Sequence, residues 1–367
     1  MPLHSGWPIR FPILGLALLA LLLIPARVRA DEPNVQRPPS ADSGRRGPAR
    51  TSPVKLIFDT DVGNDVDDAM ALAMIHALQS RGECELLAVT ITKDNPYAAA
   101  YIDLMNTFYG RPEIPIGVVR KGVTPGDGKY LRQVATAEDN GRLRYPHKLL
   151  SGNDAPEATG LLRAVLAKQA DQSVVIVQVG FSTNLVRLLA SGPDEHSPLS
   201  GLDLVRKKVR LLSTMAGGFA PAAVQKRMKE FNVVTDLASA RKLFDEWPTP
   251  VVASGFEVGV AILHPAQSMQ EDYGYVVHHP LREAYALYRG LKNDQPTWDL
   301  TSTLYAIRPD RGYFHLSEPG KIVVDAEGVT GFQADPQGLH RFLKVSPQQV
   351  IRVREAQAML CSEPNRP

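Results

Sequence analysis

The sequence predicts an α/β fold, an open and mostly parallel sheet with helices on both faces, and three observations carry that reading. Short apolar runs recur between residues 54 and 253, amphipathic stretches of helical length separate them, and polar or acidic residues follow several of the runs directly. Runs that are apolar throughout, with no polar alternation, mark strands buried on both faces. Strands and helices in alternation give right-handed crossovers and therefore parallel pairing.

The first run is 54–58 (VKLIF), followed by a helical pattern over 67–79. The second, 86–91 (LLAVTI), leads to a helix over 97–109. The third, 114–119 (IPIGVV), leads to a long polar loop over 122–153 and a helix over 158–170. The fourth, 174–179 (VVIVQV), precedes a helix over 183–190, and the fifth, 209–214 (VRLLST), precedes one over 236–246. The sixth is 250–253 (PVVA). After Pro309 the segment GYFHLSEPGKIVVDAEGVTGFQ reads as a short antiparallel addition around turns, and 347–360 as a closing helix. Ligands of such sheets bind beyond the carboxyl ends of the strands, which directs attention to the residues just after each run.

Residues 1–30 read as a signal peptide. Arg10 precedes the apolar run 11–24, shorter than the ~20 residues that span a bilayer, and Val28-Arg29-Ala30 supplies a small-residue cleavage pattern. This predicts a secreted or periplasmic protein with no membrane association after cleavage. Residues 31–52, rich in Pro, Ser and Arg, read as a disordered linker, leaving 53–367 as one domain. Lys and Arg number 41 against 39 acids, a net charge of +2 that falls to −1 without the three arginines of residues 1–30. A balance so near zero gives no field for a nucleic-acid partner. Cys84 and Cys361 are too few for a disulfide framework, and whether they pair stays open.

Directly after the first run stand Asp59, Asp61, Asp65, Asp67 and Asp68. Five carboxylates in ten residues repel one another unless a cation sits among them. Capping of a helix accounts for one or two, not five. Oxygen donors with no His or Cys fit Ca²⁺ or Mg²⁺ better than zinc. An EF-hand loop fails on spacing, because counting from Asp59 puts Asn64 at the required Gly and Met70 at the required Glu. A phosphohydrolase of the haloacid dehalogenase type, with Asp59 as nucleophile, matches the opening Asp-x-Asp and stays an alternative.

The segment Asp59-Thr60-Asp61-Val62-Gly63-Asn64-Asp65-Val66-Asp67-Asp68-Ala69-Met70-Ala71-Leu72 resembles the opening signature of the inosine-uridine-preferring nucleoside hydrolases, with two extra residues after the Gly and Val62 in place of a Pro. Three further segments keep the family order: Gly180-Phe181-Ser182-Thr183-Asn184-Leu185, then Met215-Ala216-Gly217-Gly218 with Glu230-Phe231-Asn232 and Asp236, then Trp298-Asp299. The resemblance implies a Rossmann-like nucleoside hydrolase fold, a homodimer or tetramer, and Ca²⁺-dependent cleavage of the N-glycosidic bond of a ribonucleoside or related N-ribosyl compound. It implies Asp61, Asp68, the Thr183 carbonyl and Asp299 as metal ligands. Asp67 becomes the general base if the count runs back from the helix, Asp65 if it runs forward from Asp61. Glu230 and Asn232 become contacts to the sugar, Asn95 a further sugar contact, and Asp59 a group that orients the metal site from behind. Trp298 stands where the family has a His that protonates the leaving base, and indole stacks on a base but donates no proton to it. His147, Tyr130 and the pair His278-His279 are other candidates for that proton. A Ca²⁺-dependent sugar-binding protein without catalysis is the remaining alternative.

Overall fold

The apolar runs lie side by side in one ten-stranded sheet of the computed structural model, which describes residues 52–364. The expectations for 1–30, and for 31–52 apart from Ser52, fall outside the described residues. The strands are β1 (Val54–Thr60), β2 (Cys84–Lys93), β3 (Ile116–Val123), β4 (Val174–Gln178), β5 (Val209–Met215), β6 (Val251–Ser254), β7 (Gly320–Val324), β8 (Thr330–Ala334) and β9 (His340–Lys344). They run in the order β3-β2-β1-β4-β5-β6-β9-β7-β8, with the short strand His315–Leu316 beside β9. From β3 to β9 every pairing is parallel, and β7, β8 and His315–Leu316 add antiparallel edges.

The helices that flank the sheet include α1 (Asp67–Ser80), α2 (Ala98–Phe108), α3 (Ala158–Ala167), α4 (Thr183–Ala190), α5 (Gly201–Lys208), α6 (Leu237–Glu246), α7 (Trp298–Ile307) and α8 (Pro347–Cys361). Alternate residues of the central strands feed two separate cores, as the period-two geometry of a strand requires. Leu56, Phe58, Val175 and Val177 pack with α1, α2, α7 and α8 on one face. Ile57, Val174 and Ile176 pack with α3, α4, α5 and α6 on the other.

Several elements depart from the sequence reading, among them the helices Phe256–Ala261, Ala266–Glu271 and Pro280–Tyr288, which carry no motif. Helix α5 was not anticipated, because only Leu204 and Val205 of its eight residues are buried apolar groups and its last turn is Arg206-Lys207-Lys208. The C-terminal addition is only partly antiparallel, since β9 joins β6 in parallel register, His340 opposite Val251. Both cysteines are free and buried, Cys84 against the Ile75 carbonyl and Cys361 against that of Met70.

What the topology fixes is the position of β1. The chain leaves it towards β2 and β3 on one side and β4, β5 and β6 on the other, so the sheet order reverses between β1 and β4. Beyond their carboxyl ends the outgoing loops diverge and open a crevice.

Candidate active site

Three helices begin at this crevice. α1 starts with Asp67 and Asp68, α4 with Thr183, and α7 with Trp298 and Asp299. Helix amino termini stabilise negative charge, which eases the burial of acids there without neutralising five of them. The Asp299 N–H donates to Asp67 Oδ2 at 3.1 Å, and the Thr60 hydroxyl donates to Asp68 Oδ1. Asp67 Oδ1, Asp68 Oδ2 and Asp59 Oδ2 are buried with no hydrogen-bond partner. One carboxylate oxygen from each of Asp65, Asp68 and Asp299 lies within 4.8 Å of the others.

Burial, reinforced by the charges of neighbouring acids, pushes Asp67, Asp68 and Asp299 well above the usual carboxylate range. Burial also pushes Asp61 up to about 7, with Asp65 adding to it and the Asn64 hydrogen bond and Lys93 charge opposing it. Buried oxygens with no hydrogen-bond partner among mutually repelling carboxylates form a donor set that a cation fits, and an all-oxygen set suits a hard divalent ion.

Asp61 is pinned in place. Asn64 Nδ2 donates to its Oδ2 at 2.7 Å, while Lys93 Nζ donates to Asn64 Oδ1 at 2.7 Å and to the Thr124 carbonyl at 2.8 Å. No sequence motif singles out Lys93, whose role depends on the loop around Thr124. Asp59 lies deeper: its Oδ1 accepts from Thr90 Oγ1 at 2.5 Å and Asn184 Nδ2 at 2.9 Å, and burial raises it to about 7. With no solvent exposure, it cannot meet a phosphoryl group, which removes the ground for the phosphohydrolase alternative.

A cavity of about 520 Å³ lies over the acids, a volume typical of small-molecule sites. Asp61, Asp65 and Asp299 line it, together with Phe231, Phe256, Tyr288 and Trp298 and with Met215 and Met228. Asp67 and Asp68 are buried outside the lining, at 0% and 1% exposure. Trp298 Nε1 donates to the Phe256 carbonyl at 3.1 Å, and the two rings stack with centroids 5.6 Å apart.

Glu230 and Asn232 reach the cavity as expected residues of its wall, and both also support local structure. Glu230 caps the short helix Phe231–Thr235: its oxygens accept from the N–H groups of Asn232, Val233 and Gly217. Asn232 Nδ2 donates to the Val179 carbonyl at 2.8 Å, and the Thr183 hydroxyl donates to Asp236. Asn95 is engaged elsewhere, donating to the Pro125 carbonyl and Asp127 and accepting from the Tyr97 N–H. Tyr130 donates its hydroxyl to the Asp65 carbonyl at 2.8 Å and so positions that loop. His147 bonds the Tyr145 carbonyl, His278 faces Glu283, and buried His279 bonds the Tyr275 hydroxyl, so none of the three joins the cavity wall. Phe256, Tyr288 and Met228 were missed, since they come from two helix ends and a loop with no motif of their own.

The geometry defines a small-molecule crevice at the switch point of a doubly wound sheet, and sequence comparison supplies the family. Residues 56–351 match the family model described as inosine-uridine preferring nucleoside hydrolase. The chain belongs to that family. It is 30% identical over 229 residues to a pyrimidine-specific ribonucleoside hydrolase, RihA, of Klebsiella pneumoniae, an alignment covering 59% of this chain and 63% of the relative. A RihA of Shewanella woodyi is 27% identical over 311 residues, covering 76% of this chain and 91% of the relative. The fold is similar to that of an inosine-uridine preferring nucleoside hydrolase from Bacillus anthracis, with a TM-score of 0.62 at 14% identity over 84% of this chain and 99% of that one.

Proposed function

We propose that the protein is a Ca²⁺-dependent hydrolase that cleaves the N-glycosidic bond of ribonucleosides, or of related N-ribosyl compounds, to ribose and the free base. The single observation that carries this is the convergence of Asp65, Asp68 and Asp299 beside a cavity walled by aromatic rings. These three would hold the ion, with Asp61 in the lining of the same cavity, and the Thr183 carbonyl, a ligand the family resemblance implies, would come from the start of α4. When bound, the ion gathers a sugar's neighbouring hydroxyls and lowers the pKa of a water.

The residues of the chain do the rest. Asp61 lines the cavity and is held through one oxygen by Asn64, which places a carboxylate where it can take a proton from water. The reading therefore moves the base from Asp67, which is fully buried outside the lining and holds the Asp299 N–H, to Asp61. Asp65, the other candidate, belongs with the ion. Asn232 has Oδ1 left for a sugar hydroxyl because its Nδ2 is engaged. The aromatic wall receives the base.

The test is ribose release from uridine and inosine, with and without a chelator, by wild type, Asp61→Asn and Asp67→Asn. A lost general base costs on the order of 10² to 10⁴ in kcat, and Asp61→Asn takes that loss while still binding Ca²⁺. Full activity in Asp61→Asn would return the role to Asp67. No ribose from any nucleoside with Ca²⁺ present would refute the hydrolase reading and favour a sugar-binding protein. We further propose export through residues 1–30; recovery of a chain beginning at Asp31 outside the cytoplasm tests this. Among the described residues no helix is long and apolar enough to cross a membrane.

A further inference from the structure

Lys93 closes β2, opposite Val123 of β3, and only 3% of it is exposed. A buried ammonium is tolerated only where its donors are taken up. This one donates to two neutral oxygens, Asn64 Oδ1 at 2.7 Å and the Thr124 carbonyl at 2.8 Å, although it stands close enough to feel the charges of Asp61, Asp68 and Asp127. We propose that Lys93 is a positioning residue, which sets the Asn64 amide so that it grips the Asp61 carboxylate by Oδ2 and leaves Oδ1 for the water. This rests on the N-ribohydrolase reading with Asp61 as its base, and it names the part of the chain that aims that base.

An ammonium has donors only, whereas a side-chain amide has an accepting oxygen at one corner and a donating nitrogen at the other. With Oδ1 facing Lys93, Asn64 presents Nδ2 on its other side, and that nitrogen donates to Asp61 Oδ2 at 2.7 Å and to Thr124 Oγ1 at 3.3 Å. Turned over, the amide would set its nitrogen against the ammonium and its oxygen against the carboxylate, two repulsions in place of two attractions. The ammonium therefore decides which way the amide lies. Asp61 stands one residue past the end of β1, outside any helix, so the amide bond rather than a helical turn fixes its carboxylate.

Lys93 is itself held from several sides. Asp94 Oδ2 accepts from the Gly122 N–H at 2.9 Å, and Asn95 Nδ2 donates to the Pro125 carbonyl at 3.0 Å and to Asp127 Oδ1 at 2.9 Å. With the bond from Lys93 to Thr124, consecutive residues at the end of β2 clamp one stretch of loop. A little further on, Gly128 meets the acid loop so closely that an added Cβ would lie 2.1 Å from the Gly63 carbonyl oxygen. Lys93 thus sits where β2, that stretch and the loop carrying Asn64 come together.

The test uses the full chain at saturating Ca²⁺ and reads ribose release from uridine and inosine. Lys93→Met, close to lysine in length but without its donors, should lower kcat by about tenfold or more, since displacing a reacting group by about 1 Å costs on the order of 10² in rate. KM should stay within about twofold, as expected for a residue that acts on the chemical step and not on binding. Asn64→Ala, which keeps Lys93 and its bond to Thr124, should lose kcat as well. In the double variant the two losses should not add, because Lys93 acts through Asn64. Full kcat in either single variant would overturn the proposal, as would losses that multiply in the double variant or a change confined to KM. A further readout needs no turnover: crystals of Lys93→Met, set beside wild-type crystals grown under the same conditions, should show the Asn64 amide or the Asp61 carboxylate turned, and both unmoved would overturn the proposal. No ribose from any nucleoside in wild type would sink the hydrolase reading, and the crystal comparison would still decide whether Lys93 places Asp61.

Discussion

Gly180 offers a way to move the proposed base without touching it. It follows β4 and lies against the tip of β1, where an added Cβ would fall 2.4 Å from Thr92 Oγ1, 2.5 Å from the Asp61 backbone nitrogen and 2.8 Å from Asp61 Cβ. Backbone nitrogen and Cβ cannot swing aside as a flexible side-chain end can, so Gly180→Ala must displace the β1 tip. The Thr92 hydroxyl also donates to the Thr60 carbonyl at 3.2 Å and accepts from the Phe181 N–H at 3.1 Å, bonds that tie β1, β2 and the β4 loop together. Overpacking of this kind costs roughly 1–3 kcal/mol, and displacing a reacting group by about 1 Å costs on the order of 10² in rate. Urea unfolding and ribose release on the same preparation should show both losses. Unchanged stability would refute the packing argument. Lowered stability with full kcat would show that the position of Asp61 does not govern the reaction.

Three further outcomes follow from the same geometry. Asp61 and Glu230 titrate at about 7 when folded against 3.8 and 4.5 as ordinary acids, so in cation-free protein their contribution to stability is complete below the lower values and lost as pH rises to about 7. The rise in Tm on adding Ca²⁺ to chelator-treated protein should therefore grow from pH 5 to pH 8, and a rise independent of pH contradicts this. The comparison at each pH removes the opposite contribution of buried His76 and His279, lowered to about 3, which lose stability as pH falls below 6.5. Glu230→Ala leaves three backbone N–H groups without their acceptor and should cost about 1–3 kcal/mol in denaturant unfolding. Glu230→Gln, which keeps one carbonyl oxygen, should cost less, and an equal loss in both would show that the cap is not what stabilises the segment. Cys84 and Cys361, both buried and raised by burial, should resist a thiol reagent in native protein and react fully in denaturant; fast native labelling would contradict their burial.

The parallel centre of the sheet was legible because its strands are buried on both faces, and VVIVQ of β4 has every residue buried. Strand β9 was not, since HRFLK sets only two apolar residues, Phe342 and Leu343, among polar ones and shows no continuous apolar run, and only the fold puts it beside β6. The acidic cluster announced itself by density alone. Its division of labour did not, because counting residues across the two-residue insertion cannot tell which carboxylate faces the cavity. The structure answers by geometry: Asp67 bonds the first turn of α7, whereas Asp61 and Asp65 reach the lining. Asn95 was unreadable for a similar reason, its amide being taken by Pro125 and Asp127 some thirty residues away. The aromatic wall left no motif, apart from Trp298 and Phe231, because Phe256 and Tyr288 join it only through tertiary packing.

Titration calorimetry of Ca²⁺ into chelator-treated full-length protein, alongside Asp68→Asn and Asp299→Asn, probes the shared ion most directly. One ion per chain in wild type, and no measurable uptake in either variant, is the predicted result. Uptake unaltered by both substitutions, or none in wild type, would show that the acids at the strand tips do not form a cation site.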